Sequence, residues 1–197
     1  MIASLKHRIA FLAMTKTGST AIETALRPQC EVMMSGHPGL KHMQLRKFNR
    51  MVRPLFSQVG VEVETTCLFR EPLDWLGSWY RYRQRPEIPN ARNSTADLSF
   101  RAFVEAYLSE DQPPFARIGR PSNFIRDTEG QIGIDHLFRY DQFDLFERFI
   151  SDRFGQRFSF RTENVSPRIR LEVEPALRQK VEQALSEDYD IYESIRR

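Results

Sequence analysis

The sequence predicts an α/β fold with a mostly parallel central sheet flanked by helices, and two strand-to-helix junctions carry that prediction. The first is an apolar run, Arg8-Ile9-Ala10-Phe11-Leu12-Ala13-Met14, which passes through Thr15-Lys16-Thr17-Gly18-Ser19-Thr20 into a helical segment from Ala21 to Leu26. The second is Glu64-Thr65-Thr66-Cys67-Leu68-Phe69, which ends at Arg70-Glu71-Pro72 and leads into another helical segment. Strands alternating with helices require crossover connections, and these give parallel neighbours with helices on both faces of the sheet.

Taken in order, strands are expected near 8–14, 30–34, 62–69 and 134–139, each short and rich in apolar or β-branched residues. Helices are expected over 19–27, 41–57, 73–84, 99–109, 141–154 and 174–187. Pro72 suits a first helical turn, and Leu73, Leu76 and Tyr80 then fall near helical spacing. Between Arg85 and Ser99, Pro86, Pro89, Asn90, Asn93 and Ser94 make a polar, breaker-rich interval that reads as a long loop. No internal repeat or low-complexity tract interrupts the pattern. With 197 residues and 41% hydrophobic content, the chain is long enough for one well-buried domain covering 1–197.

The first junction has the chemistry of an anion cradle. Amides in the first turn of a helix lack intrahelical partners and carry partial positive charge, so phosphate or sulfate oxygens bind there. Thr17, Ser19 and Thr20 add hydroxyls, and Lys16 adds an ammonium. A nucleoside triphosphate loop, G-x-x-x-x-G-K-[ST], needs its lysine after the last glycine; here Lys16 precedes Gly18, and Ala13 stands where the first glycine would be. The dinucleotide fingerprint fails as well, because Gly18 is alone. A turn capped by Ser or Thr with no ligand is the plain structural alternative.

The second junction places Arg70 at the carboxyl end of a strand and Ser78 eight positions later, two turns into a helix. A guanidinium offers a planar fork of donors and a serine a single hydroxyl, a pair suited to a terminal phosphate. Ligands of open α/β sheets bind outside the carboxyl ends of the strands, where both junctions meet.

Together the Lys16-Thr17-Gly18-Ser19-Thr20 loop and the Arg70/Ser78 pair resemble the sulfotransferase family, whose fold is P-loop NTPase-like. The likeness extends to Ile134 through Asp141 with the amphipathic Phe143 to Phe154, to Asn164-Val165-Ser166-Pro167-Arg168, and to Tyr189-Asp190-Ile191-Tyr192. The stretch from Gln84 to Gly133 carries no family feature, and the late Arg-Lys-Gly loop of the cytosolic branch is absent.

The resemblance implies a transferase that moves a sulfuryl group from 3′-phosphoadenosine 5′-phosphosulfate (PAPS) to an acceptor hydroxyl or amine, leaving 3′-phosphoadenosine 5′-phosphate (PAP), with no metal required. Lys16, Thr17, Gly18, Ser19 and Thr20 would hold the 5′ end, Arg70 and Ser78 the 3′-phosphate, and Arg168 would approach it from a late loop. Trp75, Trp79 or Tyr82 would be available to stack on adenine, although aromatics at helical spacing also serve packing. Lys16 is placed to neutralise the oxygen bridging phosphorus and sulfur as negative charge builds there.

Four histidines are candidates for the base an acceptor hydroxyl needs. His7 precedes the first strand and His136 lies inside one, which suits structural roles. The resemblance puts a catalytic histidine between the two junctions, often after a lysine, so Lys41-His42 is preferred over His37 in Ser35-Gly36-His37-Pro38-Gly39. Glu23 is the substitute carboxylate.

The net charge of +3 is unevenly spread. Lys41, Arg46, Lys47, Arg50 and Arg53 cluster before the second strand, and Arg81, Arg83, Arg85 and Arg92 follow the second junction. Such clusters attract anions, which favours an anionic small-molecule or carbohydrate acceptor; nothing resembles a module that reads nucleic acid. No run approaches the ~20 apolar residues of a membrane span, and the first junction leaves no room for a signal peptide, so a cytoplasmic enzyme is expected. Cys30 and Cys67 are the only cysteines and read as core or near-core residues without a disulfide. Two other functions fit the same junctions: a P-loop-type kinase using a nucleoside triphosphate, and a non-catalytic nucleotide-binding protein.

Overall fold

A computed structural model describes residues 1–88, 91–160 and 171–195. Five strands form one sheet in the order β3-β1-β2-β4-β5: β1 is Ile2–Ser4, β2 Ile9–Phe11, β3 Val32–Met33, β4 Glu64–Phe69 and β5 His136–Arg139. The pairs β2–β4 and β4–β5 are parallel, and β1 runs antiparallel to both β2 and β3. The sheet is therefore mixed, parallel at its centre with an antiparallel edge. That edge departs from the sequence expectation. Only three residues of β1 precede the turn, too short a run for an alternation signal, and the return into β2 is made by Arg8 in a left-handed conformation (φ 51°).

Strand alternation sends side chains to two apolar layers. Ala3, Ala10, Leu12, Cys67 and Phe69 face one side and pack with Phe48, Val52, Phe56 and Ile191. Ile2, Ile9, Phe11 and Leu68 face the other and pack with Ile22, Leu26, Phe146 and Ile150. The helices α1 (Ser19–Leu26) and α8 (Phe143–Phe154) cover the second face. The first face is covered by α3 (Leu45–Met51), α4 (Arg53–Gln58), α7 (Pro121–Ile125) and α10 (Ser186–Ser194). A third cluster, centred on Trp75, Leu76, Phe103 and Val104, joins α5 (Pro72–Arg83), α6 (Phe100–Leu108) and α9 (Pro175–Ala184).

Several expected helices are divided. The one expected over 41–57 is three pieces: a single turn, α2 (Pro38–Lys41), then α3 and α4. Pro54 has no N–H to reach the Arg50 carbonyl, so the hydrogen-bond ladder breaks around Val52. The one expected over 174–187 breaks at Leu185 (φ −112°, ψ 28°) and resumes as α10. The expected loop over 85–99 includes a 3₁₀ turn at Ala91–Asn93, and α7 falls in a stretch where no element was expected. Among the described residues no helix is long and apolar enough to cross a membrane.

Candidate functional site

All three parallel strands deliver residues to one place at their carboxyl ends. The Thr15–Gly18 turn follows β2, Arg70 follows β4 and Tyr140 follows β5. Lys16 (φ 67°) and Gly18 (φ 70°) are both left-handed, with Thr17 between them at negative φ, an alternation that turns successive amides toward a common concavity. Left-handed backbone is costly for a lysine, so the surrounding contacts must enforce it. Gly18 is the N-cap of α1, and its left-handed conformation favours glycine; a Cβ there would meet Tyr140 and Phe143 only at ordinary contact distances, 3.8 and 3.9 Å.

The enforcing contacts are specific. Arg70 Nη1 donates to the Lys16 carbonyl at 2.8 Å, and the Trp75 indole N–H donates to the Thr15 carbonyl at 3.1 Å. Thr17 is fully buried and its hydroxyl donates to the Met14 carbonyl at 2.9 Å. The carbonyls on the back of the turn are thus fastened to β4 and α5. No hydrogen bond from the Lys16, Thr17 or Gly18 amides is formed among the described residues, and in α1 the first amide to find a carbonyl is that of Ala21, on Gly18 at 3.1 Å.

Arg70 also donates from Nε to Asp74 Oδ2 at 2.6 Å and lies over the Tyr140 ring, 4.6 Å from its centroid. Lys16 Nζ sits 4.1 Å from the Tyr82 ring centroid and 5.7 Å from that of Trp79. Arg85 lies over the same Tyr82 ring at 5.4 Å, and Arg83 lies 5.3 Å over Trp79. Burial first, then the nearby charges of Arg85, Arg70 and Arg81, lower the Lys16 pKa to about 7. Asp74 answers both Arg70 and, at 3.7 Å, Arg81. The other acid at this strand end, Glu71, caps α5 through the Asp74 amide and accepts the Tyr189 hydroxyl at 2.6 Å. The result is a group of cations and aromatic faces beside the turn's free amides.

The opposite flank is built by the 37–42 segment. His42 Nδ1 donates to the Ala13 carbonyl at 2.7 Å; since a carbonyl only accepts, the proton is on Nδ1 and the Nε2 lone pair is the basic one. Burial lowers the His42 pKa, so the ring is neutral at pH 7. His37 has the reverse arrangement. Its Nδ1 accepts from the Gly39 amide at 3.1 Å as the N-cap of α2, which places the proton on Nε2 and leaves no free basic nitrogen. Lys41 donates to Thr20 Oγ1 at 3.0 Å and pairs with Glu23 at 3.4 Å.

Compared with known proteins, the chain matches no family model and no curated protein.

Of the residues singled out in the sequence, Lys16, Gly18 and Arg70 are brought into one cluster, and His42 and Thr20 line its other flank. Ser19 is buried at the start of α1 and Ser78 is buried in α5, next to Gly77, on which Leu171 packs. Three expectations are corrected. The Thr17 hydroxyl is occupied by Met14, so only its backbone faces the cradle. Trp75 is 2% exposed with its N–H on Thr15, a core residue with no face free for adenine. Glu23 is buried, with its two oxygens engaged by the Met1 amine and Lys41, so neither is open to an acceptor hydroxyl. Arg168, with the rest of Asn164 to Arg168, lies outside the described residues. His7, stacked on Phe154, and His136, bonded to Glu64, serve structure. Tyr140 was not anticipated; its position just past a parallel strand's carboxyl end was the available signal.

Proposed function

We propose that the chain is a PAPS-dependent sulfotransferase acting on an acceptor hydroxyl, with Lys16, Arg70, Ser78 and His42 as the core of its site. The observation that carries this reading is the gathering of Lys16 and Arg70, by a direct hydrogen bond, at the mouth of a turn whose outward amides are unpartnered. Donor groups of this kind fit a ligand with anionic groups at both ends. The carboxylates nearest the turn are engaged in capping and pairing with arginines, which favours this reading over a magnesium-nucleotide kinase.

When bound, PAPS supplies an activated sulfuryl group and departs as PAP. Lys16 offers its ammonium to negative charge that grows during transfer, in a desolvated site where such an interaction is strong. A bound polyanion favours the charged lysine and so raises its pKa from about 7. His42 Nε2 takes the proton of the acceptor hydroxyl, while its Nδ1–H, held by Ala13, fixes the ring's orientation and tautomer. Arg70 positions by charge and by fastening the turn. The acceptor is a small molecule or carbohydrate, with an anionic one favoured by the basic surroundings.

The test is calorimetric titration with PAP beside adenosine 5′-phosphate, ADP and ATP, with and without magnesium. Binding that depends on the 3′-phosphate is expected. A preference for ATP with magnesium would assign the site to a kinase, and transfer activity absent despite PAP binding would leave a nucleotide-binding module.

A further inference from the structure

The α3–α4 segment presents a surface that the nucleotide site does not use. Its inner row, Leu45, Phe48, Val52 and Phe56, is buried in the sheet-facing core. A second row, Met51, Leu55 and Val59, recurs every four residues and lies in solvent, 49, 54 and 66% exposed. Lys47 begins the same row one turn earlier and bonds the Gly39 carbonyl at 3.2 Å, which holds the half-exposed Leu40 beside it. Arg46 and Arg50 are exposed alongside, and neither enters an ion pair among the described residues. Cations predominate along this segment: from Val32 to Val61 the sequence has no Asp or Glu, and Arg46, Lys47 and Arg50 lie beside the apolar row, while Glu62 follows and accepts the Ser57 hydroxyl.

We propose that this face docks on an anionic lipid surface. Apolar side chains ringed by cations match the boundary between acyl chains and acidic headgroups, where shallow insertion and charge attraction act together. A polyanion such as a nucleic acid would satisfy the arginines and leave Met51, Leu55 and Val59 in water. A second copy of the chain would bury that row only by bringing like charges together. The surface acts by peripheral contact and is independent of what occupies the nucleotide site.

Co-sedimentation of the full chain with phosphatidylcholine vesicles, with and without phosphatidylserine, tests it. The protein is expected to bind only the phosphatidylserine vesicles and to be released by salt. Leu55→Ser with Val59→Ser, and separately Arg46→Glu with Arg50→Glu, should each lower partitioning by about tenfold or more, since one basic residue near such a surface is worth about fivefold. All four positions are exposed, and unchanged thermal melts would show that the variants fold. Failure of the native protein to bind, or binding that neither pair weakens, overturns the proposal. Sensitivity to the arginine pair alone would assign the face to a polyanion, and a dimer in sedimentation equilibrium that the Leu55/Val59 pair dissolves would assign it to self-association.

Discussion

Two clusters of charged side chains in this molecule differ in how their charges are answered. At the junction of α7 and α10, Asp188 is fully buried and every oxygen is engaged: Oδ2 accepts from Arg120 Nη2 at 2.7 Å, and Oδ1 from the Ser122 amide at 2.8 Å. Nearby, Arg139 donates to Asp141 and to the Tyr192 hydroxyl and lies 3.9 Å over the Tyr192 ring. At the carboxyl ends of β2 and β4, by contrast, Lys16, Arg70 and Arg81 lie close together, and Asp74 is shared between Arg70 and Arg81. A cluster that only holds the fold together pairs its ions. One that collects like charges raises the energy of the empty protein and lowers it again when an anion arrives, and such frustration marks binding sites.

Perturbing each cluster separately breaks or sharpens this contrast. Arg70→Ala removes a guanidinium, unties the Lys16 carbonyl and uncovers Tyr140, so PAP affinity measured by calorimetry should fall about 100-fold or more. An affinity within a factor of three of the native value would sink the assignment of Arg70 to the phosphate. Asp188→Ala should do the reverse, lowering unfolding free energy by about 2 kcal/mol through the orphaned Ser122 amide and Arg120, with PAP affinity unchanged in the folded fraction.

Lys16→Met is predicted to separate binding from stability. The folded state holds the Lys16 pKa at about 7 against an ordinary 10.5, so below pH 7 the native protein carries the cost of a buried cation. That cost shrinks as pH rises from 7 toward 10.5, because the unfolded chain then still binds a proton that the folded one has released. Discounted for partial exposure and for the lost contact with Tyr82, the variant should be more stable by about 1 kcal/mol at pH 6 and indistinguishable near pH 10, while losing transfer. Equal stability at both pH values would contradict the buried-cation account. The smallest effect concerns His42. Its lowered pKa puts the acidic limb of the kcat/KM profile below the ordinary imidazole value of about 6.5, and a limb at or above that value would remove His42 as the base.

The parts of the fold that were legible in the sequence are those with local signatures. The apolar strand ends at Phe11 and Phe69 and the glycine turn at Gly18 carry enough pattern to predict where the parallel centre lies and which side chains crown it. The antiparallel edge was not legible, because β1 and β3 have three and two residues and pair through register with each other rather than through alternation of their own. At the strand ends, the sequence predicts that Lys16 and Arg70 meet, which they do, while tautomers and hydrogen-bond occupancy have no sequence signature. Nothing in the sequence separates His42 from His37 as decisively as the carbonyl of Ala13 on one ring and the amide of Gly39 on the other. The same holds for Thr17 and Trp75, whose polar atoms turned out to hold the loop from behind.

The chain has two tryptophans, and both belong to the neighbourhood of one turn: Trp75 is tied to Thr15, and Trp79 stands edge-on to it, 6.2 Å away, beside Lys16. The protein therefore carries its own optical reporter. Intrinsic emission arises almost wholly from the loop's surroundings, so a ligand that displaces the Lys16 ammonium from its aromatic seat will register as a spectral change without any label.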